Sequence, residues 1–358
     1  MEFALSGTAH FSRCCPPPSS KKRACMRSLS LTSLAWLLTA ALTLPTCQAG
    51  TRLTHQYEAG ETFTYELITD IHTTATESGA AGGGKAKGKG KPPAEARQVD
   101  ENQIQVLTLL VAVDKVTPEG TAELKLTIRR VRSAMDTPTH GRVSYDTEQT
   151  DTVIDSKNIP AQRNAENCRQ MVGISWSLQL DRLGKITGLK PVSGKEGKPG
   201  PNGQPLLGPD GMREISSQFF TPLTEAEVES GTEWVRKTAT KTPYGSLRVT
   251  QTLSCDKVDA QGRCRLTTKD HFEPQVGPQI PLTVEMPDGE GEITFDVTRG
   301  RAVQGISSQE LSMRIELGEK KLDQKVRSKR TFRWVEQTGG EKDLEIELTP
   351  SKPDPAGQ

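Results

Sequence analysis

Three thiols beyond residue 50, five scattered histidines and one run of spaced carboxylates are the groups in this chain whose types and spacing could do chemistry. Cys255 and Cys264 flank a stretch with the residues of a tight turn, so their chemistry would be a disulfide between neighbouring strands, permitted where export meets an oxidising environment. Cys168 is then left over as a structural or partly buried thiol. His10, His55, His72, His140 and His271 never fall into a His-x-x-x-His or His-x-His spacing, which argues against a zinc site. Asp288, Glu290 and Glu292 alternate with glycines and offer oxygen ligands for Ca²⁺. Their spacing is not that of an EF-hand, and a wet hairpin tip accounts for them equally well. Asp181 and Asp296 each precede a glycine turn, where an aspartate satisfies backbone N–H groups. No Gly-x-Ser-x-Gly is present, because Ser177 occupies the place of the second glycine after Gly173 and Ser175. No nucleophile, base and orienting group share a spacing, so the expectation is a protein that is not an enzyme and uses no cofactor and no metal.

The elements that must position the cysteine pair occur twice. Asp114-Lys115-Val116-Thr117-Pro118-Glu119-Gly120 returns as Asp256-Lys257-Val258-Asp259-Ala260-Gln261-Gly262, a shift of 142 residues (256 − 114). Each copy sits between β-like runs, 103–113 and 121–132 in the first case, 247–255 and 263–270 in the second, and reads as the tip of an antiparallel hairpin. The shift maps Cys255 and Cys264 onto Val113 and Ala122, an apolar pair flanking the same turn, so the cysteines are expected as facing cross-strand neighbours. Two further landmarks recur in order. Gly60-Glu61-Thr62-Phe63 matches Gly231-Thr232-Glu233-Trp234, and Leu180-Asp181…Gly184-Lys185…Gly188-Leu189 matches Phe295-Asp296…Gly300-Arg301…Gly305-Ile306.

Lys plus Arg number 46 and Asp plus Glu 45, a balance that excludes a general nucleic-acid binder. Aromatics make up only 4%, so a core must be built from Leu, Ile and Val. Lys21, Lys22, Arg23 and Arg27 precede an apolar run over 29–44, and Cys47-Gln48-Ala49 offers small residues before Gly50, the order of a secretory signal cleaved between Ala49 and Gly50. The run is interrupted by Ser and Thr and falls short of the about 20 apolar residues of a membrane span. Met26-Arg27 would start a signal of ordinary length, leaving residues 1–25 as an over-extended start. Cleavage would leave 309 residues (358 − 49). The alternative is lipid attachment at Cys47, for which Leu44 is suitably placed and Pro45 and Thr46 are poorly suited. The expected location is the periplasm, cell envelope or outside, with membrane contact only if Cys47 is lipidated.

Along the chain, Phe63, Tyr65 and Leu67 alternate with polar residues as a strand that dissolves into a flexible Gly/Ala/Lys insertion over 79–93. Residues 104–113 are apolar on both faces and read as a central strand, while 143–154 reads as a further strand or hairpin. Short helices are expected over 160–171 and 212–220, the latter closing the first half. Four Gly-X-Y triplets between them are too few for collagen and read as a linker. Lys320, Lys321, Lys325, Arg327, Lys329, Arg330 and Arg333 read as the charged face of an edge strand. The resulting organisation is a leader and signal peptide over 1–49, a first β-rich half over 50–190, a linker over 191–211, a second half over 212–349, and a disordered tail over 350–358.

Gly60…Phe63, Asp114…Gly120, Asp181…Gly184, and Pro222-Leu223 leading through Val228 into Gly231…Trp234 together resemble uncharacterised secreted families of envelope-rich bacteria, over most of 60–336. That resemblance implies two β-rich halves and no known activity, and the insertions at 79–93 and 191–210 are peculiar to this chain. The fold expected is all-β, mainly antiparallel, as sandwiches or a curved half-barrel sheet with one or two short helices. Two functions follow. One is a non-catalytic envelope module that contacts other proteins. The other is a carrier of a lipid-like ligand inside a curved sheet. A filled core favours the first and a large dry inner face the second.

Overall fold

The computed structural model describes residues 50–79, 97–138, 141–149, 158–192, 207–242, 245–277, 281–317 and 320–335. The leader with Cys47 and Ala49, the insertion at 80–96, most of the Gly-X-Y linker, the end of the 143–154 segment, and the strand and tail expected after residue 336 lie outside them. Among the described residues, no helix is long and apolar enough to cross a membrane.

The chain forms one open, curved sheet of 13 strands, in which every pairing is antiparallel. The first half supplies β1 (Thr62–Gly79), β2 (Arg97–Val116), β3 (Ala122–Thr137), β4 (Gly141–Asp146), helix α1 (Ile159–Met171), β5 (Ser175–Leu180) and β6 (Ile186–Pro191). Helix α2 (Pro209–Phe219) follows, then β7 (Glu233–Thr242), β8 (Gly245–Val258), β9 (Arg263–Val276), β10 (Leu282–Glu285), β11 (Gly289–Asp296), β12 (Arg301–Leu317) and β13 (Lys320–Val335). The order across the sheet is β6-β5-β3-β2-β1-β13-β12-β11-β9-β8-β7, with β4 beside β3 and β10 beside β12. The five strands on one side of β13 therefore repeat the order of the five on the other.

The repetition extends to single residues. Val113 lies opposite Leu124, Lys115 opposite Glu123 and Val116 opposite Ala122, with a bulge between Val113 and Lys115. Adding 142 to each number gives Cys255 opposite Leu266, Lys257 opposite Arg265 and Val258 opposite Cys264, with the bulge in the same place. The turns close alike: Thr117 N–H donates to Thr121 O and Gly120 N–H to Thr117 O, as Asp259 N–H does to Arg263 O and Gly262 N–H to Asp259 O, at 2.9–3.0 Å. Gly120 and Gly262 sit at φ of 85° and 75°, a left-handed conformation that glycine adopts without steric cost. Gly60 N–H donates to Val113 O at 2.8 Å and Gly231 N–H to Cys255 O at 2.7 Å, so both halves open on the same contact. The last landmark slips by one: Gly188 lies opposite Gln179, which corresponds to Gln304 opposite Thr294, and Gly305 matches Leu189.

Two expectations need correction. Cys255 and Cys264 are not facing partners, because the bulge offsets them to Leu266 and Val258. The basic strand is not an edge. β13 lies between β1 and β12, and its charges meet carboxylates, Lys325 and Arg327 on Glu310 at 2.6 and 2.9 Å and Lys321 on Glu316 at 3.3 Å. The first strand runs on past Leu67 to Gly79, because cross-strand pairing carries Thr-rich sequence that lacks a buried face.

The helices close to expectation in place and start a little earlier. Asn158 Oδ1 accepts the Ala161 N–H at 3.1 Å and Pro160 occupies the first turn of α1, which buries Ala161, Ala165, Cys168 and Met171 at helical spacing. The inner face of the sheet, which carries the core, packs these against Val131, Leu126 and their neighbours. α2 buries Met212, Ser216 and Phe219, and Phe219 stacks on Tyr65 with centroids 4.8 Å apart. Two polar links pin the halves together: Tyr65 Oη donates to Ala302 O at 2.7 Å, and the buried Arg301 guanidinium grips Glu61 at 2.7 and 3.1 Å.

Candidate functional site

The halves share register but not filling. Between β3 and β5 the chain makes β4 and α1, and α1 packs on β3 and β4. Between β9 and β11 the described residues make β10, which pairs with β12, and among them the inner face of the second half carries no counterpart of α1. α2 lies beside that face, against β12 and β6. A cavity of about 790 Å³ opens between α2 and the strands from β7 to β13. Pockets of this size hold a small-molecule ligand.

Residue by residue, the cavity is what the first half would be with its core side chains exchanged. Tyr65 faces Leu109, which faces Ile128, and these are 1%, 0% and 0% exposed. The corresponding row is Arg236, Gln251 and Asp270. Val111, Leu126 and Trp176 form the next row, all buried, and correspond to Leu253, Thr268 and Gly291. Leu67 beside Leu107 becomes Thr238 beside Val249. Gly289, Gly291 and Gly305 put no side chain on this face, and the Phe272 ring lies beside Gly289 and the Phe332 ring beside Gly305. Four half-buried apolar side chains, Leu247, Val249, Phe272 and Ile293, line the hollow above and below the polar row.

Its electrostatics are unusual. Asp270 Oδ1 is buried and has no hydrogen-bond partner. Burial pushes this carboxyl above its ordinary value, while the Gln251 side chain pulls the other way. Arg236 is half-buried; burial, and then the Arg213 guanidinium of α2, push it below its ordinary value. Arg330 is already matched by Glu214 at 2.6 Å. A smaller hollow of about 370 Å³, lined by Thr74, Thr76, Ser312 and their neighbours, has Arg314 on Asp323 at 2.6 Å and Lys325 on Glu310 at 2.6 Å.

The structure brings Cys255 and Cys264 together beneath this face, with both thiols fully buried and their Sγ atoms 3.0 Å apart, as free cysteines. Burial and the adjacent Cys255 push the Cys264 thiol up. Cys168 is buried under α1 and pushed up to about 11 by burial. Asp181 Oδ1 accepts the Leu183 and Lys185 N–H groups at 2.9 and 2.8 Å, and Asp296 Oδ1 the Arg299 N–H at 2.9 Å, so both cap turns. Asp288 meets exposed His271 at 2.7 Å and Glu292 meets Arg265 at 2.5 Å. Among the described residues no group of three or more His, Cys, Asp or Glu could hold a metal ion. Gly50 leads into Thr51, which bridges to Val228, away from the cavity.

Arg236, Gln251, Thr268 and Asp270 escaped the sequence reading. A signal was there: under the 142-residue shift, Leu109, Leu126 and Ile128 become Gln251, Thr268 and Asp270, three polar residues at core positions.

No family model and no curated protein matches the chain. Among solved structures it is similar to lipovitellin, in a study of lipid–protein interactions, with a TM-score of 0.40 and 8% identity. The match covers 78% of this chain and 26% of lipovitellin, so the chain spans about a quarter of that protein's length.

Proposed function

We propose that this chain is an exported, non-catalytic binding protein whose second half holds an amphipathic ligand against its inner face, while the first half, filled by its own side chains, serves as the rigid support. The observation that carries the reading is the contrast at identical register: Tyr65, Leu109 and Ile128 buried in one half, Arg236, Gln251 and Asp270 around a cavity of about 790 Å³ in the other. A half-buried arginine and a buried carboxylate oxygen without a partner lower stability unless something else satisfies them, and such costs are retained where function needs them. Apolar side chains on both sides of the polar row supply a surface for the rest of the ligand. The face is neither filled, as a purely structural module would have it, nor dry, as a simple hydrocarbon carrier would. Export with cleavage before Gly50 and a Cys255–Cys264 disulfide belong to the same proposal.

The test is native mass spectrometry of protein purified from its own envelope fraction, beside a variant carrying Gln251→Leu and Asp270→Ile, which copies the first half. A bound small molecule in the parent and none in the variant is the expected result. Equal adducts in both, or none in either, would overturn the assignment of this cavity.

A further inference from the structure

We infer that the cavity reads a zwitterionic head: Arg236, with Arg213 of α2 lining the same hollow, takes an acidic group of the ligand, and Asp270 takes a protonated amine a few ångströms along the same molecule. This rests on the proposal that the cavity is a ligand site, and specifies what enters it.

The geometry supplies the two ends. Arg236 on β7, Gln251 on β8 and Asp270 on β9 stand in one row across three adjacent strands. Two strand spacings separate the backbones of Arg236 and Asp270 by roughly 10 Å. Gln251 fills the middle, and among the described residues no ion pair joins Arg236 to any carboxylate. Arg213 of α2 and Arg236 of β7 line the same hollow, and an anion between these like charges offsets their repulsion. Asp270 lines the hollow, and its covered Oδ1 accepts nothing from the protein, so a turn of the carboxyl group brings an unpaired acceptor to a donor in the hollow.

Other ligand classes fit less of this. A wholly apolar molecule would leave both charges desolvated and unpaired. A simple anion would satisfy Arg236 and Arg213 but set its charge near Asp270 and Asp210, which also lines the hollow. A neutral polar molecule would leave the paired arginines uncompensated. A head with an acid at one end and an amine at the other satisfies each group, and the half-buried Leu247, Val249, Phe272 and Ile293 accept an attached apolar tail. The acid is a phosphate or a carboxylate, since a guanidinium pair binds either by charge-assisted hydrogen bonds.

Titration calorimetry of the full mature chain tests this with four monoacyl amphiphiles of one chain length, each below its micelle concentration. Their heads are phosphoethanolamine, phosphate alone, carboxylate alone and an uncharged glycoside. The phosphoethanolamine amphiphile should bind at least about tenfold more tightly than any other, since charge-assisted bonds are worth roughly a factor of ten or more. Asp270→Asn should bring it down to the phosphate amphiphile, and Arg236→Gln should weaken both phosphates while leaving the glycoside unchanged. Phosphate above carboxylate in the parent marks a phosphate-bearing ligand, and the reverse order a carboxylate-bearing one; either supports the inference provided the amine adds affinity. Four equal affinities would leave the amphiphile site standing and overturn the zwitterionic head. Phosphate alone binding best would overturn the role of Asp270. Absence of binding by all four, with the doubly filled variant behaving identically, would remove the cavity itself. Asp270→Asn is isosteric and Arg236→Gln is shorter but still polar, and matching thermal unfolding to the parent confirms that both fold.

Discussion

Trp176 and Gly291 hold the same place in the two halves of one sheet, Trp176 opposite Leu126 on β3 and Gly291 opposite Thr268 on β9. The exchange of a large ring for a hydrogen atom is not a loose substitution. A Cβ at position 291 would fall 2.6 Å from Thr268 Oγ1 and 2.8 Å from the Ile306 carbonyl oxygen, so the backbones of β11 and β12 have closed in around the glycine. Gly291→Ala should therefore destabilise by about 1–3 kcal/mol, the usual cost of overpacking. Urea unfolding of parent and variant measures it, and an unchanged midpoint would show that the strands can part.

Asp270 gives the opposite sign. Its buried Oδ1 lacks a partner, and the first half places Ile128 at that position, fully buried. Asp270→Ile should stabilise the ligand-free protein by about 1–3 kcal/mol, the cost of leaving such a group unsatisfied, while abolishing ligand binding. A gain in stability coupled to a loss of binding is the signature of a functional polar group; lost stability would mean that the carboxylate is satisfied in solution.

His55 predicts a pH dependence. It is 4% exposed, its Nε2–H donates to Thr221 O at 2.9 Å, and Nδ1 lies 3.3 Å from Tyr57 Oη, so the buried ring is neutral. Burial lowers it from 6.5 to about 4, against the Thr221 carbonyl and the Asp181 charge, which favour protonation, and with Arg301, which opposes it. The folded value lies below the unfolded one, so the unfolded chain takes up the proton first. The contribution is complete above about pH 6.5 and is lost as pH falls to about 4, at about 3 kcal/mol in full. His55→Asn should flatten the difference in unfolding free energy between pH 7 and pH 4.5 relative to the parent; an identical slope in both would show that the ring does not titrate there.

Cys255 and Cys264 should be joined in protein recovered from an oxidising compartment. With Sγ atoms 3.0 Å apart and both side chains buried, closure to a bond of about 2.05 Å needs about 1 Å of movement. The short loop gives about 2–3 kcal/mol on the chain-entropy account. Thiol labelling of unfolded, unreduced mature protein should modify Cys168 alone, and labelling at all three positions would rule the bond out.

How much of this was visible beforehand depends on which interactions decide it. The hairpin tips at Gly120 and Gly262, the alternation of Leu124, Leu126 and Ile128, and the helix with Pro160 in its first turn are local, so residue type and spacing announce them. The 142-residue shift carried the register of β2–β3 onto β8–β9 down to the bulge. What stayed hidden is non-local. The place of β13 beside β1 is set by pairing between distant parts of the chain, so its lysine-rich sequence alone reads as an edge. The bulge that offsets Cys255 from Cys264 leaves no trace in composition. The cavity arises from an absence, the missing counterpart of α1, combined with polar residues at core positions that were legible only by subtracting one half from the other.

The central position of β13 also sets an order of events. Thr64 pairs with Val335 across 271 residues (335 − 64), and each strand of β1 and β12 finds its second neighbour only in this last described strand. Until it arrives, both repeats present a bare, hydrogen-bond-hungry margin of the kind that recruits other chains. Pairing over such a span is slow, because the entropy of closing the loop is lost before any contact offsets it. During synthesis the nascent halves must therefore be shielded, and a chain that stopped short of Lys320 would behave as two sticky fragments rather than as one shortened protein.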